Sequence, residues 1–177
     1  MSTRAVAFLA AVSLATPLQA RVAPRRTPWL LFPLDVTRFA HVSSKFGVRK
    51  LEGKKQLHKG VDLVAPQGSY VVAAREGRVK DVGRSRACGW YVTLEHSNAW
   101  RTVYCHLRSD PRGLGIQEGM AVPAMGVVGL VGNTGHSYGP HLHFSLLDGQ
   151  GQPHDPLLAL YTPGETLKVL KKMGLAR

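Results

Sequence analysis

Five side chains in this sequence have the types and the spacing for metal-assisted hydrolysis. Two of them, His141 and His143, stand at i and i+2 in GPHLHF (139–144), which reads as a strand entered through a Gly-Pro turn. Side chains of a strand alternate faces, so both imidazoles point to one side of a sheet and can share one small volume. One can then bind a metal while its neighbour handles a proton. A second pair, His58 and Asp62 in LHKGVD (57–62), would share a face of a straight strand yet stand about 13 Å apart. Ligands of one ion must converge to roughly 2 Å from it. The segment must therefore bend, and Gly60 is where bending costs least. A helix would also bring i and i+4 together, but Gly60 followed by Val-Asp-Leu-Val disfavours one. His58, Asp62 and one histidine of the 141/143 pair make a two-His, one-carboxylate set, the donor mixture of a catalytic zinc. Three protein ligands leave a fourth position for water, acidified toward neutral pH for attack on a carbonyl. His106 and the other strand histidine are left to manage protons.

The elements that must hold these groups are short β-like runs separated by Gly, Pro, Asn and Asp. Strands are expected over 61–64, 70–73, 77–82, 91–96, 101–106, 127–131 and 141–147, and helical periodicity is nearly absent before the tail. The fold class is mainly β, a small antiparallel β-sheet domain with a short C-terminal helix. Residues 90–106 read as a hairpin around Asn98-Ala99, which pairs Cys105 with Val92 and delivers His106 to one end. Cys88 and Cys105 are the two cysteines of the chain, an even number in what reads as an exported protein, and a disulfide between them is expected. It requires a loop or bulge at Cys88-Gly89 to fold back. The Gly-rich VGLVGNTG (128–135) has neither the Lys-Ser/Thr nor the following helix of a phosphate loop. It reads as backbone that allows close approach to a groove. Thr162-Pro163-Gly164-Glu165 resembles a capping box, and Leu167 and Leu170 then mark the apolar side of a helix that ends at Gly174.

A chain of 177 residues allows one domain with short appendages. Residues 1–20 read as a signal peptide, with Arg4, an apolar run from Ala5 to Ala15 and a cleavage-like end at Ala20. That run is too short to span a bilayer comfortably, and no membrane span is expected after its removal. Residues 21–38, rich in proline, read as an N-terminal arm or short pro-segment, 39–160 as the catalytic domain and 161–177 as a basic amphipathic helix. One arginine and no acid lies in 1–20, so the formal charge changes only from +12 to +11 on cleavage. Such a field favours an anionic partner. Export and the absence of a nucleic-acid-reading motif argue against nucleic acid and for an anionic cell-envelope polymer.

The three blocks HKGVD (58–62), YCHL (104–107) and GPHLHF (139–144), the last preceded by VGNTGHSYGP (131–140), make the chain resemble the lysostaphin-type zinc metallopeptidases, the LytM family of cell-wall endopeptidases. The resemblance covers roughly residues 39–158. It implies zinc ligation by His58, Asp62 and His143, catalytic roles for His106 and His141, and a mainly antiparallel β fold of duplicated-hybrid-motif type with its site along a narrow groove. Cys105 stands where a small residue is commoner, and Ser145 where an acid is frequent; neither is a ligand. His136 and Tyr138, in the loop before the site, are candidates for substrate contact. Tyr104 is expected to pack, His96 to lie at the surface beside the hairpin turn, and His41 and His154 carry no motif. The reading is a secreted or periplasmic monomer, a zinc endopeptidase acting on peptidoglycan cross-links. A metal-free wall-binding regulator of another hydrolase and a secreted bacteriolysin are the alternatives.

Overall fold

The computed structural model describes residues 27–51 and 53–176; the expected signal peptide and the start of the arm lie outside the described residues. Among the described residues the first strands are β1 (His41–Ser44), β2 (Gly47–Leu51), β3 (Lys54–His58), β4 (Val61–Val64), β5 (Tyr70–Val72) and β6 (Gly77–Ser85). There follow β7 (Gly89–Glu95), β8 (Arg101–Leu107), β9 (Ala121–Val122), β10 (Val127–Leu130), β11 (His141–Leu147) and β12 (Pro153–His154), then the helices α1 (Pro156–Ala159) and α2 (Pro163–Lys172). The main sheet runs β1-β4-β11-β8-β7-β6-β9, with β12 added to β11, and every pairing in it is antiparallel. β2 with β3, and β5 with β10, form two small separate ribbons. Among the described residues no helix is long and apolar enough to cross a membrane.

Alternation builds the core. Leu142, Phe144 and Leu146 of β11 turn inward, beside Val61 and Leu63 of β4 and Tyr104 of β8, while His141 and His143 stay on the other face. The apolar run WLLFPL (29–34), which reads as part of an arm, enters this core, where Leu30, Phe32 and Leu34 are buried. Its backbone is satisfied by neighbouring segments, Leu31 N–H donating to Ala74 O at 2.7 Å and Val72 N–H to Pro33 O at 3.0 Å. An apolar run without period can be buried in extended form, and its lack of alternation hides that outcome.

α2 opens on the expected capping box, with Thr162 and Glu165 bonded reciprocally. Its docked side is Thr166 and Leu170, not Leu167 and Leu170: Leu167 is 37% exposed, whereas Phe32 N–H donates to the buried Thr166 Oγ1 at 3.0 Å. His96 is likewise buried, not superficial. Its Nδ1–H donates to Glu76 O at 2.8 Å and its Nε2 lies 2.7 Å from Thr102 Oγ1, which is 3.0 Å from the hydroxyl of Tyr104. Ala74 N–H completes the chain by donating to that hydroxyl at 2.9 Å. Burial holds the His96 imidazole below its ordinary pKa, so it is the neutral ring that the network accommodates. Thr102→Val should leave two buried polar atoms short of a partner and cost about 1–3 kcal/mol. The urea midpoint against the parent chain measures this; an unchanged midpoint would contradict the role given to the network.

Candidate metal centre and groove

β11 runs between β4 and β8, and the two registers set the site. Asp62 lies opposite His143, and His143 lies opposite Cys105. Paired residues share a face, so a carboxylate and an imidazole are brought together by backbone pairing alone. His58 ends β3, and the chain then reverses through Lys59-Gly60 into β4. Gly60 is required by closeness: a Cβ there would stand 2.5 Å from Phe144 O and 2.8 Å from His143 Nε2. The bend carries His58 onto the Asp62 side chain.

Among the described residues, His58, Asp62 and His143 form a cluster able to hold a metal ion. His58 Nε2 is 3.1 Å and His143 Nδ1 2.8 Å from Asp62 Oδ1, and the two nitrogens are 3.0 Å apart. Each group is held from behind. His58 Nδ1–H donates to Lys45 O at 2.8 Å, His143 Nε2 lies 3.0 Å from Ser145 Oγ, and Arg49 Nη1 donates to Asp62 Oδ2 at 3.2 Å. With the rear nitrogens carrying the protons, two ring lone pairs and a carboxylate oxygen face one another. Those atoms repel unless a cation lies among them or a ring is charged. Their mutual spacing is near the ~3.3 Å expected between ligands of a tetrahedral zinc shell, so the donor set fits such an ion. Burial pushes the Asp62 carboxyl up, but hydrogen bonds and charge from His143 and His58 outweigh it and hold it well below the usual carboxylate range.

His106 and His141 complete the floor. His141 Nδ1–H donates to Gly139 O at 2.8 Å, leaving Nε2 free at 3.7 Å from Asp62 Oδ1. His106 Nδ1–H donates to Thr134 O at 2.8 Å, and its ring centroid is 4.7 Å from that of His141. Strand parity would place His106 on the core face with Tyr104. A bulge prevents this: Val92 pairs with Tyr104 but Trp90 with Leu107, so Cys105 and His106 together stand opposite Tyr91. The expected pairing of Cys105 with Val92 is thus off by one residue; the expected fold-back at Cys88-Gly89 is present as a turn over 86–88, and the bulge on β8 is additional to it. His106 adopts φ +61°, a left-handed conformation that costs a non-glycine residue about 1–3 kcal/mol. Cys88 and Cys105 are joined, with Cα atoms 5.0 Å apart.

A groove of about 310 Å³ crosses this floor. The β2–β3 ribbon supplies one wall through Arg49, Gln56 and Leu57, and the 136–138 loop the other. His136 and Tyr138 both line it, their rings in edge contact at 5.4 Å, and Tyr138 is 73% exposed. No described residue of the 27–38 segment does. The structure therefore brings His58, Asp62, His106, His136, Tyr138, His141 and His143 to one groove; His41 and His154 lie outside it. Arg49, Thr134 and Ser145 orient these groups and escape a reading of the sequence, because second partners carry no spacing rule.

A His/Asp/His cluster on the floor of an open groove in an antiparallel sheet is an arrangement for metal-assisted hydrolysis. Residues 56–156 match peptidase family M23, and the chain belongs to that family. It is 37% identical over 135 residues to DD-carboxypeptidase/endopeptidase Mpg of Neisseria meningitidis, covering 75% of this chain and 30% of that protein. To peptidoglycan DD-endopeptidase ShyC of Vibrio cholerae it is 38% identical over 122 residues, 67% of this chain and 27% of the relative. Among solved structures, a zinc-containing peptidase from Vibrio cholerae aligns with a TM-score of 0.64 at 30% identity, covering 71% of this chain and 38% of the other. The chain spans less than a third of the length of the two curated relatives.

Burial pushes the His106 imidazole down to about 4, partly opposed by its bond to Thr134 O. The folded metal-free chain then refuses a proton that the unfolded chain accepts near pH 6.5. Stability should be full above about pH 6.5 and be lost as pH falls toward about 4, by about 3 kcal/mol from this group. His106→Gln should flatten that part of the slope in urea titrations of metal-free protein; parallel slopes would contradict it.

Proposed function

We propose that this chain is an exported zinc endopeptidase that hydrolyses peptide cross-links of bacterial peptidoglycan, as a DD-endopeptidase. The observation that carries the reading is the convergence of His58 Nε2, Asp62 Oδ1 and His143 Nδ1 within 3.1 Å of one another on the groove floor. The names of the two curated relatives supply the substrate and the bond class, and the solved Vibrio peptidase supplies the metal by similarity.

In this reading His58, Asp62 and His143 hold zinc, which when bound supplies Lewis acidity toward a carbonyl oxygen and lowers the pKa of water in the site. The remaining work belongs to side chains. His106 and His141 keep their Nδ1 protons on Thr134 O and Gly139 O, so each presents an unprotonated Nε2 to the groove. One of them takes the proton of the attacking water and hands it to the leaving amine, and the other, after taking a proton from solvent, steadies the oxyanion through its Nε2–H. His136 and Tyr138 flank the extended peptide from the opposite wall. The net charge, +11 once residues 1–20 are removed, holds the protein on an anionic wall polymer.

The test is digestion of isolated sacculi by the purified chain, with products separated by mass. Release of cross-link cleavage products, abolished by a zinc chelator and restored by zinc, is expected; undiminished release from metal-free protein would refute the mechanism. Ser145→Ala removes the rear partner of His143 and should weaken zinc binding about 10- to 100-fold. Competition with a chromophoric chelator reads this directly, and parent-like affinity would show that Ser145 does not orient the ligand.

A further inference from the structure

The left-handed conformation of His106 has a covalent neighbour. His106 N–H donates to Cys88 O at 2.8 Å, and Cys88 is bonded through sulfur to Cys105, the residue that shares the bulge with His106. The 86–89 turn is thereby tied to β8 at the point where β8 departs from regular pairing. The same turn meets the opposite loop. His136 N–H donates to Ala87 O at 2.9 Å, and a Cβ on Gly89 would stand 2.2 Å from Thr134 Oγ1. Thr134 in turn accepts the ring proton of His106 through its carbonyl and bonds Trp90 N–H and Leu107 O through its hydroxyl. A non-glycine residue keeps a positive φ only where its surroundings over-determine it. Here the surroundings are the hydrogen bonds and one covalent link.

We propose that the Cys88–Cys105 disulfide positions His106, and that its formation completes the active site once the chain meets an oxidising compartment. This rests on the hydrolase reading above. In the dithiol form the 86–89 turn loses its covalent tie to β8, and the carbonyl that receives His106 N–H is free to shift. The bulge can then relax toward ordinary extended φ, which returns the ring toward the core face and away from His141. Closure joins two thiols and releases two electrons and two protons. A small-molecule or protein disulfide takes these up by thiol exchange and leaves as two thiols. Exchange begins at Cys88, which is half-buried and lines the groove, because Cys105 is only 2% exposed. Ordering the catalytic bulge by oxidation would keep the hydrolase silent until it is outside the reducing cytoplasm.

The experiment compares the full oxidised chain with the same protein reduced by tris(2-carboxyethyl)phosphine, and with the double variant Cys88→Ala/Cys105→Ala. Cleavage of a defined cross-linked muropeptide, zinc per chain, and hydrogen exchange at the His106 amide are measured on each. Reduction should lower kcat about 10- to 100-fold with KM and zinc content unchanged, the scale of a catalytic group misplaced by about an ångström. The His106 amide should exchange faster, oxidised glutathione should restore kcat, and the double variant should match the reduced chain and ignore the phosphine. Full kcat in the reduced chain would overturn the proposal. Loss of zinc or of folded structure along with activity would also overturn it, since the bond would then be a general tether. If the oxidised chain cleaves nothing, the hydrolase reading has failed and the His106 amide alone decides: unchanged exchange on reduction overturns the positioning role, and faster exchange supports it.

Discussion

Sliding β11 by one residue against β4 would turn Leu142, Phe144 and Leu146 out of the core and bring His141 and His143 into it. Burying each of those apolar side chains is worth about 1.5–3 kcal/mol. The slip also flips every side chain of the strand, so no partial compromise exists. Hydrophobic burial on one face of β11 therefore sets the chemistry on the other. Because His143 pairs with Asp62 on one side and with Cys105 on the other, one strand positions the carboxylate, its imidazole and the bulge that carries His106 together. The His/Asp/His cluster is thus a consequence of core packing.

A second level of control acts on protons. Three of the four histidines at the floor give their rear nitrogen to a backbone carbonyl, which can only accept, so in the neutral ring the facing nitrogen carries the lone pair. His143 uses the Ser145 hydroxyl for the same purpose. An open groove in front leaves these lone pairs to face water, a cation, a proton or a substrate. His106 differs from the rest in being held by a bulge, a strained φ and a neighbouring disulfide rather than by regular pairing.

Much of this was readable beforehand. The strands 61–64 and 141–147 follow from alternation, and the bend at Gly60 follows from the distance His58 must cover. The β2–β3 ribbon escapes a sequence reading because its residues are largely exposed, with lysines and other polar groups and no apolar alternation to mark it. The burial of His96 is hidden from the sequence because its position beside a turn says nothing of the Thr102 hydroxyl that meets it below, itself bonded to that of Tyr104. The off-by-one pairing of Cys105 has the same root: a bulge is a departure from period two, and counting residues back from a turn assumes there is none. Arg49, Ser145 and Thr134 act through contacts between segments distant in sequence, which only the folded register creates.

X-ray absorption at the zinc edge of the purified oxidised chain reads the donors around the metal. A shell of light nitrogen and oxygen donors at about 2.0–2.1 Å with outer scattering from two imidazoles is expected. A shell lacking the outer scattering of two imidazoles would place the metal elsewhere, and a protein that retains no zinc would leave the His58, Asp62 and His143 cluster without an ion.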